Sequence, residues 1–230
     1  MFPSTARRAP RLWAFVGVVL GILLGLSSVR AGTLTHEPLW REQLIRILGT
    51  TLDRNQKPVG VVSDLVVGFM QRNDHDGLEV VFRSQPGRFS LATQTAAHWA
   101  IHRSARAAGL NPDSWTIYLS VFSQGTTVYG ESLSAMVGLT VLALARGDYI
   151  PADRVITGTV TGDGRIGAVP GINLKLQAAQ RRHLRRVLVP EVYDTTDGDW
   201  QTPFLLQVSP VGTVALAYQA LVGRPLKEGG

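Results

Sequence analysis

The sequence predicts an α/β (α+β) domain, and three observations carry that prediction. Short runs rich in β-branched residues (59–68, 78–82, 114–122 and 187–189) are interspersed with helix-length segments (93–108, 133–146, 173–183 and 213–222). Turn signals such as Gly109, Asn111-Pro112, Gly147 and Gly162-Asp163-Gly164 fall between them. The chain has 230 residues, 45% of them hydrophobic, enough for one ordinary core plus accessory segments. There is no internal repeat.

The N-terminal 31 residues stand apart. They carry Arg7, Arg8, Arg11 and Arg30 and no acid, and residues 12–29 are almost wholly apolar. This run is longer than the roughly 7–15 residues of a signal-peptide core and falls within the roughly 17–25 of a spanning helix. Both a cleaved signal peptide and an uncleaved membrane anchor fit it. Arginines ahead of the run favour an inside N-terminus, so in either case the rest of the chain is expected to be exported. Without the leader, the formal charge falls from +6 to +2, which argues against a nucleic-acid partner. The absence of cysteine excludes disulfides, Cys-zinc sites and thiol catalysis.

Residues 32–57 read as a linker containing an amphipathic helix over 39–52, because Leu39, Leu44, Ile45, Leu48 and Leu52 fall on roughly one helical face. Residues 59–68 and 78–82 are expected strands around a turn at 73–77, whose aspartates do not complete a calcium loop. Helix 93–108 carries His98 and His102, but Trp99 stands where a zinc protease needs glutamate, and two histidines fall short of three ligands. No metal or cofactor is expected. A strand over 114–122, a polar loop over 123–130 and an apolar helix over 133–146 come next in the chain. Residues 155–160 and 165–169 are expected to pair as a hairpin. Beyond it lie helix 173–183 with Asn173 as its N-cap, strand 187–189 closed by Pro190, strand 204–208, and helix 213–222.

Three motifs bear on chemistry. Gly162 to Gly167 fits G-x-G-x-x-G, but Pro170 interrupts the helix a dinucleotide site requires, so the segment reads as a hairpin turn. No G-x-x-x-x-G-K-S/T loop occurs. Gly130-Glu131-Ser132-Leu133-Ser134 lacks the last glycine of a nucleophile elbow. The third is a pair: Ser134 opens the apolar helix, where amide groups of a first turn can hold an oxyanion. Lys175 opens the next helix beside Leu174 and Leu176. A helix N-terminus and an apolar surround both disfavour an ammonium, and a neutral amine can take a serine proton.

At these residues the sequence resembles the proteolytic domain of Lon proteases. Ser134-Ala135 matches the Ser-Ala of the family's nucleophile segment, and Lys175-Leu176-Gln177-Ala178-Ala179 matches its second lysine and the four residues after it. Thr157-Gly158-Thr159-Val160 stands for its Thr-Gly-Glu-Ile/Val, 167–171 loosely for its Gly-x-Val-x-Pro-x-Gly-Gly turn, and 187–190 for its Val-Leu-Ile-Pro strand. The resemblance implies a Lon-type proteolytic domain over 58–224, with a tail at 225–230. It implies Ser134 as nucleophile, Lys175 as general base and then acid, and Thr157 as hydrogen-bond partner of the lysine amine. Backbone N–H groups near Ser134, with Ala135 beside it, would form the oxyanion hole. Glu131 stands where the family has an aspartate. Leu133 and Met136 replace the family's proline and glycine.

The resulting expectation is an exported, ATP-independent serine endopeptidase that cleaves unfolded proteins or peptides through an acyl-enzyme. The resemblance further implies self-association, as a hexameric ring, and a partner protein for substrate delivery. The alternative is a Lon-fold module that binds or assembles proteins without catalysis.

Overall fold

The computed structural model describes residues 39–192 and 202–226. The signal or anchor reading of the leader lies outside them. In chain order the elements are β1 (Leu39–Leu52), β2 (Pro58–Gln71), β3 (Glu79–Phe82), β4 (Arg88–Phe89), α1 (Leu91–Ala107), β5 (Trp115–Val121), β6 (Thr127–Val128), α2 (Ser134–Arg146), β7 (Arg154–Ile156), β8 (Thr159–Val160), β9 (Ile166–Gly167), α3 (Ile172–Arg181), β10 (Arg186–Pro190), β11 (Gln207–Val211) and α4 (Val214–Val222). Mixed strands and helices in several sheets agree with the predicted class.

The largest sheet has the order β1-β2-β5-β3. β1 and β2 pair antiparallel along their whole length, from Leu39 opposite Gln71 to Leu52 opposite Pro58. Asp53 makes the turn between them: its Oδ1 accepts from the N–H of Asn55 at 2.8 Å and of Lys57 at 2.9 Å. The helix expected over 39–52 is therefore a strand. Leu44 and Leu52, which the helical stripe placed inside, are exposed, whereas Ile45 and Ile47 point inward at a period of two. Nor is the segment a linker. Arg41 Nη1 donates to the carbonyls of Leu144 and Ala145, and Gln43 Nε2 to that of Ile150, which fastens β1 to the end of α2. Fourteen residues of pairing outweigh a local pattern that fits two periods equally well.

A second sheet, β11-β10-β7, is parallel. Here the expected hairpin needs correction. Val155 pairs with Val187 of β10, and only β8 and β9 form the hairpin, with Thr159 opposite Gly167. The last strand also starts later than expected. Its register begins with Gln207 opposite Arg186, and Phe204 and Leu205 are exposed. The loop read over 123–130 contains β6, which pairs with β4.

Helix α2 packs against α1, α4, β1 and β2, and every residue from Ser134 to Leu144 is buried. Helix α3 lies on β2, β1 and β10. Its approach to β2 is set by Gly60, where a Cβ would overlap the Leu174 carbonyl oxygen. Any side chain there would push back the helix that carries Lys175. No helix among the described residues is long and apolar enough to cross a membrane.

Candidate active site

The site is built where the chain leaves the parallel sheet after β7. Thr157 N donates to Leu188 O at 3.1 Å, holding the segment to β10. The next residue grips the start of α2 on both sides of Ser134. Gly158 N donates to Ser132 O at 2.9 Å, and Ala135 N donates to Gly158 O at 3.1 Å. The Thr157 hydroxyl adds a third bond, to Ser132 O at 3.3 Å. A Cβ on Gly158 would sit 2.9 Å from Ile166 Cγ2, closer than carbon atoms pack, so only glycine lets the strand pass this near.

Ser134 is the first residue of α2 and is 2% exposed. No side chain caps this helix: Leu133 occupies the N-cap position. The oxyanion donors expected beside Ser134 are engaged within the protein. Ser134 N donates to Glu131 O at 2.9 Å, and Ala135 N is the group held by Gly158. Donors at a helix start lack intrahelical partners, but the folded chain supplied partners from the preceding turn and the neighbouring strand.

Lys175 is 3% exposed, and its Nζ donates to Pro170 O at 2.8 Å. The N-cap of α3 is Gly171, in the left-handed conformation at φ 75°, and not Asn173. Lys175 is therefore the fourth helical residue. With Ile172, Leu176 and Ala179 it forms the i, i+3, i+4, i+7 stripe that the helix buries. Burial comes from that phase, since the neighbouring Leu174 is only half-buried.

Two clefts meet at the site. The larger, about 790 Å³, runs between the 47–51 end of β1 and the 126–133 loop and ends at Pro170 and Lys175. The smaller, about 510 Å³, lies against α1 and is the one Ser134 lines. Glu131 and Thr159 border both. The fold thus brings Ser134 and Lys175 to adjoining clefts, with exposed Glu131 at the boundary and buried Thr157 behind Ser132. The Thr157 hydroxyl hydrogen goes to Ser132; its oxygen lone pairs are the atoms suited to an amine N–H.

His98 and His102 lie on the outer side of α1, their rings edge-on to Trp99 at centroid distances of 5.9 and 6.2 Å. Partial burial, together with neighbouring His102, holds the His98 imidazole below its ordinary value. Sequence reasoning missed the backbone carbonyls of Ser132, Gly158 and Pro170, which have no side-chain signature. Gly158 stood out only as part of a motif. A glycine directly after the threonine was the available sign of a close backbone approach.

Residues 92–198 match the family model described as the Lon protease (S16) C-terminal proteolytic domain. Ser134, Thr157 and Lys175 all fall inside that stretch. A curated relative, the archaeal Lon protease of Methanocaldococcus jannaschii, is 31% identical over 75 residues. That alignment covers 33% of this chain and 12% of the archaeal protein, so most of the relative has no counterpart in the alignment.

Proposed function

Given a chain that carries a Lon-type proteolytic domain over residues 92–198, we propose that it is a serine endopeptidase acting through Ser134 and Lys175. Ser134 Oγ attacks the scissile carbonyl carbon while Lys175 Nζ takes the hydroxyl proton. The tetrahedral adduct collapses, the C–N bond breaks, and Lys175 returns the proton to the leaving amine. Water, deprotonated by the same amine, then hydrolyses the ester on Ser134. One observation carries the reading: two polar side chains that a core would ordinarily exclude are 2% and 3% exposed at the starts of α2 and α3, beside adjoining clefts. Burial removes the water that stabilises an ammonium, which suits a lysine required to act as a base.

Its proposed action is on unfolded polypeptides, without nucleotide, after export across a membrane. Support for export is the apolar run at 12–29 behind three arginines. Assembly into a homo-oligomeric ring and delivery of substrate by a partner protein belong to the same proposal and rest on the family likeness alone. Ser134→Ala and Lys175→Ala should each abolish cleavage of casein in the absence of nucleotide. Variants that cleave casein as fast as the parent would refute the dyad.

A further inference from the structure

One hydroxyl at the site has no task in the proposed chemistry. Thr159 of β8 lines both clefts, the one that Ser134 borders and the one that ends at Lys175. It follows directly on Gly158, which holds the start of α2 through Ser132 O and Ala135 N, so the same clamp sets its place beside the nucleophile. The threonines on either side of it are engaged. Thr157 Oγ1 donates to Ser132 O at 3.3 Å, and Thr161 Oγ1 donates to Asp163 Oδ1 and accepts from Arg165 N at 3.1 Å. Thr159 Oγ1 has no such bond among the described residues. Its room is kept by the residue opposite in the hairpin: a Cβ on Gly167 would overlap Thr159 Oγ1. The other face of that hairpin, with Val160 and Ile166, is buried, which leaves the Thr159 face turned to the clefts.

Resting on the peptidase reading, we infer that Thr159 is a further catalytic residue: its hydroxyl donates a hydrogen bond to the scissile carbonyl oxygen as that oxygen becomes an oxyanion. The adduct forms on Ser134, and its leaving amine must come within reach of Lys175. The carbonyl therefore lies where the two clefts adjoin, and Glu131 and Thr159 are the residues that border both. Of these, the exposed Glu131 carboxylate only accepts, whereas the threonine hydroxyl can donate. Ser134 N and Ala135 N already donate to Glu131 O and Gly158 O, so a donor with no bond to give up is the better placed to meet new charge. Such a bond strengthens as charge develops on the carbonyl oxygen, which favours the transition state over the bound substrate. The Lon family has glutamate at this position, so the donor belongs to this chain and not to the likeness.

The test follows one fluorogenic peptide through kcat and KM separately. Thr159→Val and Thr159→Ala both remove the hydroxyl, one keeping the shape of the side chain and one leaving more room beside Gly167. Each should lower kcat about 10²-fold or more with KM within about threefold, the pattern of a bond made only in the transition state. Thr159→Ser keeps a hydroxyl and should recover kcat at least about tenfold over Thr159→Val, a rescue that a merely structural role would not give. Affinity for a peptide boronate, whose tetrahedral adduct with Ser134 sets an oxygen in the same place, should fall in Thr159→Val in step with kcat/KM. Rates are compared at a temperature where thermal unfolding shows each variant folded. Valine and alanine variants with kcat within about threefold of the parent overturn the inference. A loss confined to KM does so too, since Thr159 is then a substrate contact with no part in the chemistry, and so does a Thr159→Ser enzyme as slow as Thr159→Val. Labelling by a sulfonyl fluoride, read as a mass gain on Ser134, separates the two failures. A labelled, cleaving enzyme indifferent to loss of the hydroxyl refutes this donor alone, whereas an unlabelled protein that cleaves no peptide refutes the peptidase reading and the donor with it.

Discussion

Helices α2 and α3 each present one polar side chain to the site, and they do so by opposite means. In α2 an unbroken run from Ser134 to Leu144 is buried, so Ser134 is inside because everything around it is. In α3 only one face is buried, with Asn173 and Gln177 outside it, so Lys175 is inside because of its phase. The first helix is core, and its position is fixed by packing on all sides. The second is a surface helix seated by a stripe and by the gap that Gly60 leaves. Burying a serine costs little once its hydroxyl finds a partner, whereas burying an amine costs considerably more. A lysine kept on an apolar stripe is therefore held at the expense of stability, as reactive groups in functional sites often are.

This contrast can be broken most directly through activity. Ser134→Ala and Lys175→Ala should both lower casein cleavage by about 10³-fold or more, measured as initial rate on the purified proteins. The two helices should separate on stability. Leu139→Ala in α2 leaves a cavity in a surround buried on every side and should cost about 2–5 kcal/mol in denaturant unfolding. Lys175→Met in α3 removes a buried amine and keeps its volume, so its midpoint should equal or exceed that of the parent while activity is lost. A large fall in the Lys175→Met midpoint would show that the amine stabilises the fold.

Smaller effects sharpen the same picture. Gly158→Ala forces a methyl group toward Ile166 and loosens the grip on Ser132 and Ala135. It should cost about 1–3 kcal/mol and should lower kcat more than its stability loss explains, checked by assay at a temperature where the variant is fully folded. Thr213→Ala removes the side chain that caps α4 by accepting from Leu216 N at 3.2 Å. Thermal unfolding should show a loss of about 1 kcal/mol with activity unchanged, since α4 lies outside both clefts.

Particular residues show how far sequence reasoning reached. Helices α1, α2 and α4 were legible because long apolar or amphipathic runs end at clear stops such as Gly109 and Gly147, and Thr213 was placed at the start of α4. β1 was misread because Leu39, Leu44, Ile45, Leu48 and Leu52 satisfy a helical stripe, and the partner that decides otherwise lies across a turn in β2. The 155–169 segment was read as one hairpin because sequence neighbours favour pairing, yet Val155 and Ile156 found a better buried position beside β10. The partners of Ser134 N and Ala135 N were not legible, because a helix start shows which N–H groups lack a partner in the helix, and not which ones the rest of the chain will reach.

The residues alone determined the class of fold, the positions of most helices and the two side chains on which the chemistry is proposed to rest, because these depend on local periodicity and on residue type. Only the tertiary structure decided that Gly158 grips α2 from both sides of Ser134, that Lys175 faces inward toward the Pro170 carbonyl, and that Ser134 and Lys175 line different, adjoining clefts. Those features join backbone atoms far apart in the chain. Backbone carbonyls and amides are the same in every residue, so their partners emerge only when the sheets and helices have packed.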